Sequence, residues 1–151
     1  MEEVVVRRAT KEDASEIINF NKLMAFETEN LVLKEESATA GVHRLLDEPT
    51  RGFYVVAVLA DTVIGSLMIT FEWSDWHNRQ YYWIQSLYVR PEYRRQGIFR
   101  KLYDYVHSLA SEDGAAIRLY VDENNSTAQS VYQAVGMKES HYKLYEKHFL
   151  L

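Results

Sequence analysis

The segment Leu87-Tyr88-Val89-Arg90-Pro91-Glu92-Tyr93-Arg94-Arg95-Gln96-Gly97-Ile98-Phe99-Arg100 limits what this chain can become more than any other stretch. Tyr81 to Val89 is an aromatic, apolar run that reads as a long strand closed by Pro91. Ile98, Leu102, Tyr105, Val106 and Leu109 then recur on one face of a helix that ends near Gly114. A basic turn with a single glycine joins strand to helix. The first N–H groups of a helix have no internal partner, and the helix dipole adds partial positive charge there. A pyrophosphate can therefore sit on those donors. Gly97 lets the backbone approach the anion, and Arg94, Arg95 and Arg100 supply charge around it. The competing reading is an ordinary exposed turn that happens to be basic, and one glycine does not decide between the two.

The rest of the chain supplies the context. Val4 to Val6 reads as a short strand ending near Arg8. Thr10, with Asp13 three residues on, marks a helix start. Ala14, Ile17, Ile18, Met24 and Ala25 give the face of that helix. Ala38, Val42, Leu45 and Leu46 mark a second helix that stops before Pro49. Phe53–Ala60 and Val63–Phe71 read as a hairpin turning at Asp61-Thr62, and Ser74 to Asn78 as a loop. Ala116 to Val121 is expected to be a buried strand, followed by a helix carrying Ala128, Val131, Tyr132 and Val135 that closes at Gly136. The alternation from Tyr142 to Phe149 predicts a final strand. The expected order is β α α β β β α β α β, a mixed sheet covered by helices.

Composition narrows the chemistry. At 151 residues the chain suits one compact domain, 1–151. It contains no cysteine, which excludes thiolate nucleophiles and thiolate metal sites. Its five histidines are scattered without ligand spacing, so no metal is expected. A net charge of −5 argues against nucleic acid as partner. No stretch is apolar for long enough to span a bilayer, and the acidic start is unlike a secretory signal, so neither a membrane nor export is expected and the location expected by default is cytoplasmic.

The strand, Pro91, Arg94-x-x-Gly97 and the amphipathic helix together resemble the GNAT superfamily of acetyl-CoA-dependent N-acetyltransferases. That family's signature is Arg/Gln-x-x-Gly-x-Gly/Ala, and Phe99 stands here in place of the final small residue. A second segment, Asn125-x-x-Ala128-x-x-x-Tyr132-x-x-x-Gly136-Met137, has the family's Asn, Ala, Tyr and Gly at its intervals, with Met137 where Phe is commoner. Two ordered motifs separated by a helix and a strand weigh more than either alone, and the element order matches over essentially the whole chain. The resemblance implies a single α/β domain of the GNAT fold. Its sheet would be mixed and mostly antiparallel, with six to seven strands flanked by about four helices.

Glu72-Trp73-Ser74-Asp75-Trp76, the aromatic strand after it and Leu144-Tyr145-Glu146-Lys147 are similar to the spermidine/spermine and related diamine acetyltransferases. Gln85 and Ser86 stand where that branch places Glu and Asp. Negative charge for a cationic acceptor can come instead from Glu27, Glu29, Glu72 and Asp75, with Trp73, Trp76, Tyr81 and Trp83 as pocket walls. Each of these carboxylates taken alone reads better as solvated surface, and the aromatics have sheet packing or a subunit interface as their competing reading.

The resemblance implies acetyl-CoA as cosubstrate, held by Leu87, Tyr88, Val89, Arg94, Arg95, Gln96, Gly97, Ile98, Phe99, Arg100, Asn125 and Tyr132. It implies direct attack by a small primary amine, polyamine- or amino-acid-like, in a ternary complex. An alkylammonium titrates near about 10, so the site must take a proton from it. Glu72, Asp75 and Glu27 are the carboxylates available, and Gln85 can orient a water. Tyr132 is expected to protonate the leaving thiolate. Glu27, Glu29, Trp73, Asp75 and Gln85 are the expected acceptor-side residues. A homodimer is implied as well. The alternatives are an acetyltransferase acting on a protein's lysine or N-terminus, a non-catalytic acyl-CoA-binding regulator, and a structural domain with chance motifs.

Overall fold

The computed structural model describes residues 2–150. The chain divides into two compact units, one ending at Tyr120 and one beginning at Val121.

The first unit carries β1 (Val5–Arg8), α1 (Ala14–Glu29), α2 (Glu35–Asp47), β2 (Gly52–Leu59), β3 (Thr62–Ser74), β4 (Arg79–Val89), α3 (Ile98–Asp113) and β5 (Gly114–Leu119). Single 3-10 turns at Lys11–Asp13 and Pro91–Tyr93 precede α1 and the basic turn. Asp13 shapes the first of these. Its carboxylate accepts from the Thr10 backbone N–H at 2.8 Å and from two Arg7 guanidinium N–H groups at 2.8 and 3.1 Å. Burial alone raises this carboxyl's pKa. The Arg7 and Thr10 hydrogen bonds outweigh burial and hold it below the ordinary value.

The five strands form one sheet in the order β1-β2-β3-β4-β5. Neighbours are antiparallel except β4 and β5, which are parallel and joined through α3. A parallel pair needs a crossover of this kind, since a tight turn can only reverse the chain. The β2–β3 hairpin turns at Ala60-Asp61, both with positive φ, one residue earlier than the sequence suggested.

β2 is buried from Gly52 to Ala57 because helices cover both faces. On one face Ile17, Ile18 and Phe20 of α1 and Val42 and Leu45 of α2 pack with Tyr54, Val56, Val63 and Tyr88. On the other lies α3, with Leu102, Val106 and Ala110 buried. There the Tyr82 hydroxyl donates to Asp113 at 2.6 Å, and burial, then Asp113, push its pKa up to about 12.

The mixed α/β sheet and four α-helices agree with expectation, but among the described residues the strand count is five, below the six to seven expected. The missing strand is the tail. Residues 142–149 form no ladder, and Tyr142, Leu144, Tyr145 and Phe149 are exposed. Alternation assigns side chains to faces, but a strand also needs a neighbouring strand for its N–H and C=O groups, and this segment pairs with no strand among the described residues. The second unit thus holds α4 (Ser126–Ala134) and an extended tail. Among the described residues, no helix is long and apolar enough to cross a membrane, and no group of three or more His, Asp or Glu is placed to hold a metal.

Candidate active site

β4 outruns its neighbour. Its pairing with β5 stops at Ile84↔Leu119, while β4 itself continues to Val89. On the β3 side the strand stays paired at this end: Ser66 pairs with Tyr88, and Arg90 N–H donates to Ile64 at 2.8 Å. Backbone groups alternate sides along a strand, so Leu87 and Val89 direct theirs to the side without a partner strand. The Val89 carbonyl there accepts from Arg94 Nε at 2.8 Å.

A bulge shapes this edge. Ser66 pairs with Tyr88 and Met68 with Gln85, so Leu67 faces both Ser86 and Leu87. Ser86 takes φ 51°, left-handed backbone for a non-glycine residue. The extra residue resets the alternation, leaving Gln85 and Tyr88 on the same face of the sheet.

The basic turn follows. Arg95 and Gly97 both have positive φ, 63° and 80°, and Gly97 caps α3. The first intrahelical bond at this end is Lys101 N–H to the Gly97 carbonyl, 3.1 Å, so the helix's first donors precede it. A Cβ added at Gly97 meets no atom within 4 Å, so the space in front of the turn is open. The three arginines differ. Arg94 Nη2 bonds Glu27 at 3.0 Å and Arg100 bonds Asp104 at 3.2 Å, whereas Arg95 has no ion pair among the described residues. Gln96 is tied back to the Glu92 carbonyl at 2.9 Å. Phe99, the departure from the small-residue pattern, lays its ring 5.9 Å from that of Tyr103 along α3.

Glu27 joins α1 to the end of β4: one oxygen accepts from the Tyr88 hydroxyl at 3.2 Å and the other from Arg94. Burial, then Glu27, raises the Tyr88 pKa, so the phenol remains a donor. Glu29, the last residue of α1, is exposed.

Farther back along β4, α1 and α2 no longer cover this face. Tyr81, Trp83 and Gln85 alternate with the buried Tyr82 and Ile84 and share the face with Glu72 and Thr70 of β3 and Arg118 of β5. Gln85 donates its amide to Thr70 Oγ1 at 2.6 Å. Glu72 Oε1 accepts from Trp83 Nε1 at 2.9 Å and Arg118 Nη1 at 3.0 Å. The Arg118 guanidinium lies 3.6 Å from the Tyr81 ring centroid, and the Tyr120 ring stacks 4.5 Å from that of Trp83. Trp73 is adjacent to Glu72 in β3 and so lies on the opposite face. Asp75 and Trp76 sit in the exposed β3–β4 turn. The structure therefore gathers Glu72, Tyr81, Trp83 and Gln85 and leaves Trp73, Asp75, Trp76 and Glu29 outside that group. Arg118, Thr70, Tyr120 and the Ser86 bulge were not singled out from the sequence, where Arg118 looks like any charged residue in a strand.

In the second unit, Asn125 caps α4: its side chain accepts from Ala128 N–H at 3.1 Å. Tyr132 is half-buried on α4, and that burial raises its pKa.

Residues 15–137, spanning parts of both units, match the model of the Acetyltransferase (GNAT) family. The chain belongs to the GNAT family. This is the family that Arg94-x-x-Gly97 and Asn125 to Gly136 resemble. A solved structure described as a possible acetyltransferase from Clostridium difficile 630 shares 38% identity at a TM-score of 0.91, covering 98% of this chain and 99% of that one. Thialysine N-epsilon-acetyltransferase of Bos taurus is 36% identical over 78 residues, 51% of this chain. The match takes in less than half of the bovine protein, 45% of its length, and supports the kinship with diamine acetyltransferases read from the sequence. The D-amino-acid N-acetyltransferase of Saccharomyces cerevisiae is 30% identical over 110 residues, 71% of this GNAT chain and 68% of the yeast protein.

Proposed function

We propose that this chain transfers an acetyl group from acetyl-CoA to a primary amine of a small, polyamine- or amino-acid-like molecule, by direct attack in a ternary complex. The observation that carries the reading is the β4 edge that outlasts β5 and leads into the glycine turn at the start of α3. An edge with backbone groups at Leu87 and Val89 suits a pantetheine arm, and helix donors with positive backbone dipole suit its diphosphate. The open space at Gly97 and the charge of Arg95 fit the same group. The large Phe99 side chain runs along α3 and is compatible with donation from the backbone.

In this reading a β4 backbone N–H near the bulge stabilises the charge that grows on the thioester oxygen. Gln85, its amide nitrogen held by Thr70, offers its carbonyl oxygen to the attacking amine or to a water. Of the carboxylates, both already accept from protein donors, Glu27 from Tyr88 and Arg94 and Glu72 from Trp83 and Arg118, and they differ in place: Glu27 stands at the Tyr88 end of β4, next to the partnerless edge, and Glu72 at the Tyr81 end. We therefore give proton acceptance to Glu27 through water, and give Glu72 a binding role. Tyr132 protonates the departing thiolate. A phenol whose pKa is raised by burial stays protonated at neutral pH and so is available as a donor; because a thiol titrates lower, near about 8.5, the transfer is uphill by itself and is driven by coupling to collapse of the tetrahedral intermediate. Asn125 orders the first turn of the helix that carries Tyr132. A homodimer and a cytoplasmic location complete the reading, and the exposed tail aromatics suit an intersubunit contact.

Release of free thiol from acetyl-CoA is the test, measured with diamines, lysine-like amino acids, aminoglycosides and peptides, with the acetylated product identified by mass spectrometry. Thiol release matched by acetylation of a small amine supports the proposal. Saturable coenzyme A binding with no release in any mixture assigns the chain to the non-catalytic regulators.

A further inference from the structure

The geometry points to Arg118 as the residue that recognises a carboxylate on the acceptor, and to an acceptor whose reactive amine lies far from that carboxylate.

Arg118 is held on two sides. Its guanidinium lies flat enough on Tyr81 to bring Cζ within 3.6 Å of the ring centroid, and Nη1 bonds Glu72 at 3.0 Å. Glu72 is itself fixed by Trp83 Nε1. The Arg118 side chain nevertheless stays 33% exposed, and only Nη1 hydrogen-bonds to protein among the described residues. An immobilised guanidinium with donors facing water suits a planar carboxylate. Glu72 keeps its second oxygen outside the bonds to Trp83 and Arg118. The pair thus presents one positive and one negative edge side by side, the complement of a zwitterionic amino-acid head: carboxylate on Arg118, α-ammonium on Glu72. A polyamine, cationic throughout, would place charge against Arg118.

The sheet sets the length. Arg118 and Glu72 meet at the level of Tyr81, which pairs with Glu72. Beyond Ile84 β4 has no partner on the β5 side, and past the bulge the first backbone groups directed there are those of Leu87. Five strand steps and one bulged residue separate Tyr81 from Leu87, about 17 Å at roughly 3.4 Å per step. Hydrogen bonds at the two ends take up about 3 Å each. Of the remaining ~11 Å, an α-amine, two bonds from its own carboxylate carbon, covers only about 2.5 Å, whereas the terminal amine of a lysine-like side chain, six bonds out at roughly 1.25 Å of advance each, covers about 7.5 Å. Trp83, with Tyr120 stacked on it, lies along that path as an apolar wall for the methylenes.

The inference rests on the acetyl transfer proposed above, and its test separates the two. L-lysine and 1,5-diaminopentane carry the same distal amine and differ by the carboxylate. Wild-type chain is expected to favour lysine in kcat/KM, with acetate on the distal nitrogen by NMR. The rate is expected to rise along 2,3-diaminopropionate, ornithine and lysine. Arg118→Met should lower the lysine-to-diamine ratio by about 10- to 100-fold, mainly through KM. Arg118→Lys, which keeps the charge without the fork, should recover part of it, and unchanged melting temperatures would show both variants folded. Equal ratios in wild type and Arg118→Met, or acetate on the α-nitrogen, overturn the inference. Transfer to aminoglycosides or peptides but not to lysine overturns it while leaving acetyl transfer standing. Transfer to no amine at all overturns the proposed activity.

Discussion

Gly97→Asp probes the turn proposed to bind a diphosphate, with two separable effects. The first is conformational. Gly97 has φ 80°, and an added Cβ meets nothing within 4 Å, so the cost to folding comes from backbone alone. Left-handed backbone costs an L-residue roughly 1–2 kcal/mol, and Asp and Asn tolerate it best. The second effect is electrostatic and falls on binding. A carboxylate on that Cβ lies about 5 Å from a phosphate seated on the first turn of α3. Two unit charges at that distance repel by about 0.8 kcal/mol at the dielectric of water and about 3 kcal/mol at an effective dielectric of 20. Coenzyme A should therefore bind about 5- to 150-fold more weakly. Gly97→Asn is the control, with the same shape and similar backbone strain but no charge. Calorimetric titration of both variants at low salt isolates the electrostatic part, and added salt should narrow the difference because the turn is exposed. Equal affinities of the Asp and Asn variants at low salt would show that no phosphate sits at this turn.

Two further outcomes are expected. Tyr132→Phe should lower turnover by about 10²- to 10⁴-fold while changing coenzyme A affinity less than about threefold, since it removes only the proton of a group given the acid role. Because burial raises this phenol's pKa, any loss of wild-type turnover from Tyr132 ionisation should fall at higher pH than for an ordinary phenol, and a variant of undiminished turnover across pH would remove Tyr132 from that role. Asp13→Asn should destabilise the fold by about 1–3 kcal/mol at pH 7, measured by urea unfolding, because a buried carboxylate bonded to Arg7 and to the Thr10 N–H is lost. The folded pKa of Asp13 is lowered, so its contribution is full above the unfolded value near about 3.9 and fades as pH falls through the folded value. The gap between wild type and variant should then be constant from pH 7 to about 5 and narrow as pH falls below the ordinary carboxyl range, and a gap that does not narrow at all in acid contradicts this assignment.

Local patterns carried most of the architecture. Ile17, Ile18, Val42 and Leu45 lie buried where the helical spacing put them, and the strands from Phe53, Val63 and Tyr81 lie where their apolar runs began. The tail from Tyr142 to Phe149 was misread because a period of two describes faces, while a strand exists only with a neighbour. The site was legible where a single segment makes it. The strand, Pro91, Gly97 and α3 form one continuous stretch. It was illegible where distant segments meet. Nothing local to Arg94 announces Glu27, 67 residues away, and nothing local to Glu72 announces Arg118, 46 residues away. The Ser86 bulge was hidden as well. It is an outcome of registering β4 on β3, and Ser is not a residue that signals left-handed backbone. These long-range pairings decide which charges remain for ligands, which is why the geometry of the strand–glycine–helix turn could be read from sequence and the neighbours of Glu72 and Glu27 could not.

Titrating ¹⁵N-labelled chain with coenzyme A, residue by residue, asks directly whether the start of α3 and the β4 edge hold the cofactor. Saturable shifts of the amides of Leu87, Val89, Gly97, Ile98 and Arg100, with the exposed face of α2 unmoved, are the expected result. Saturation with those amides unmoved and shifts elsewhere would contradict it.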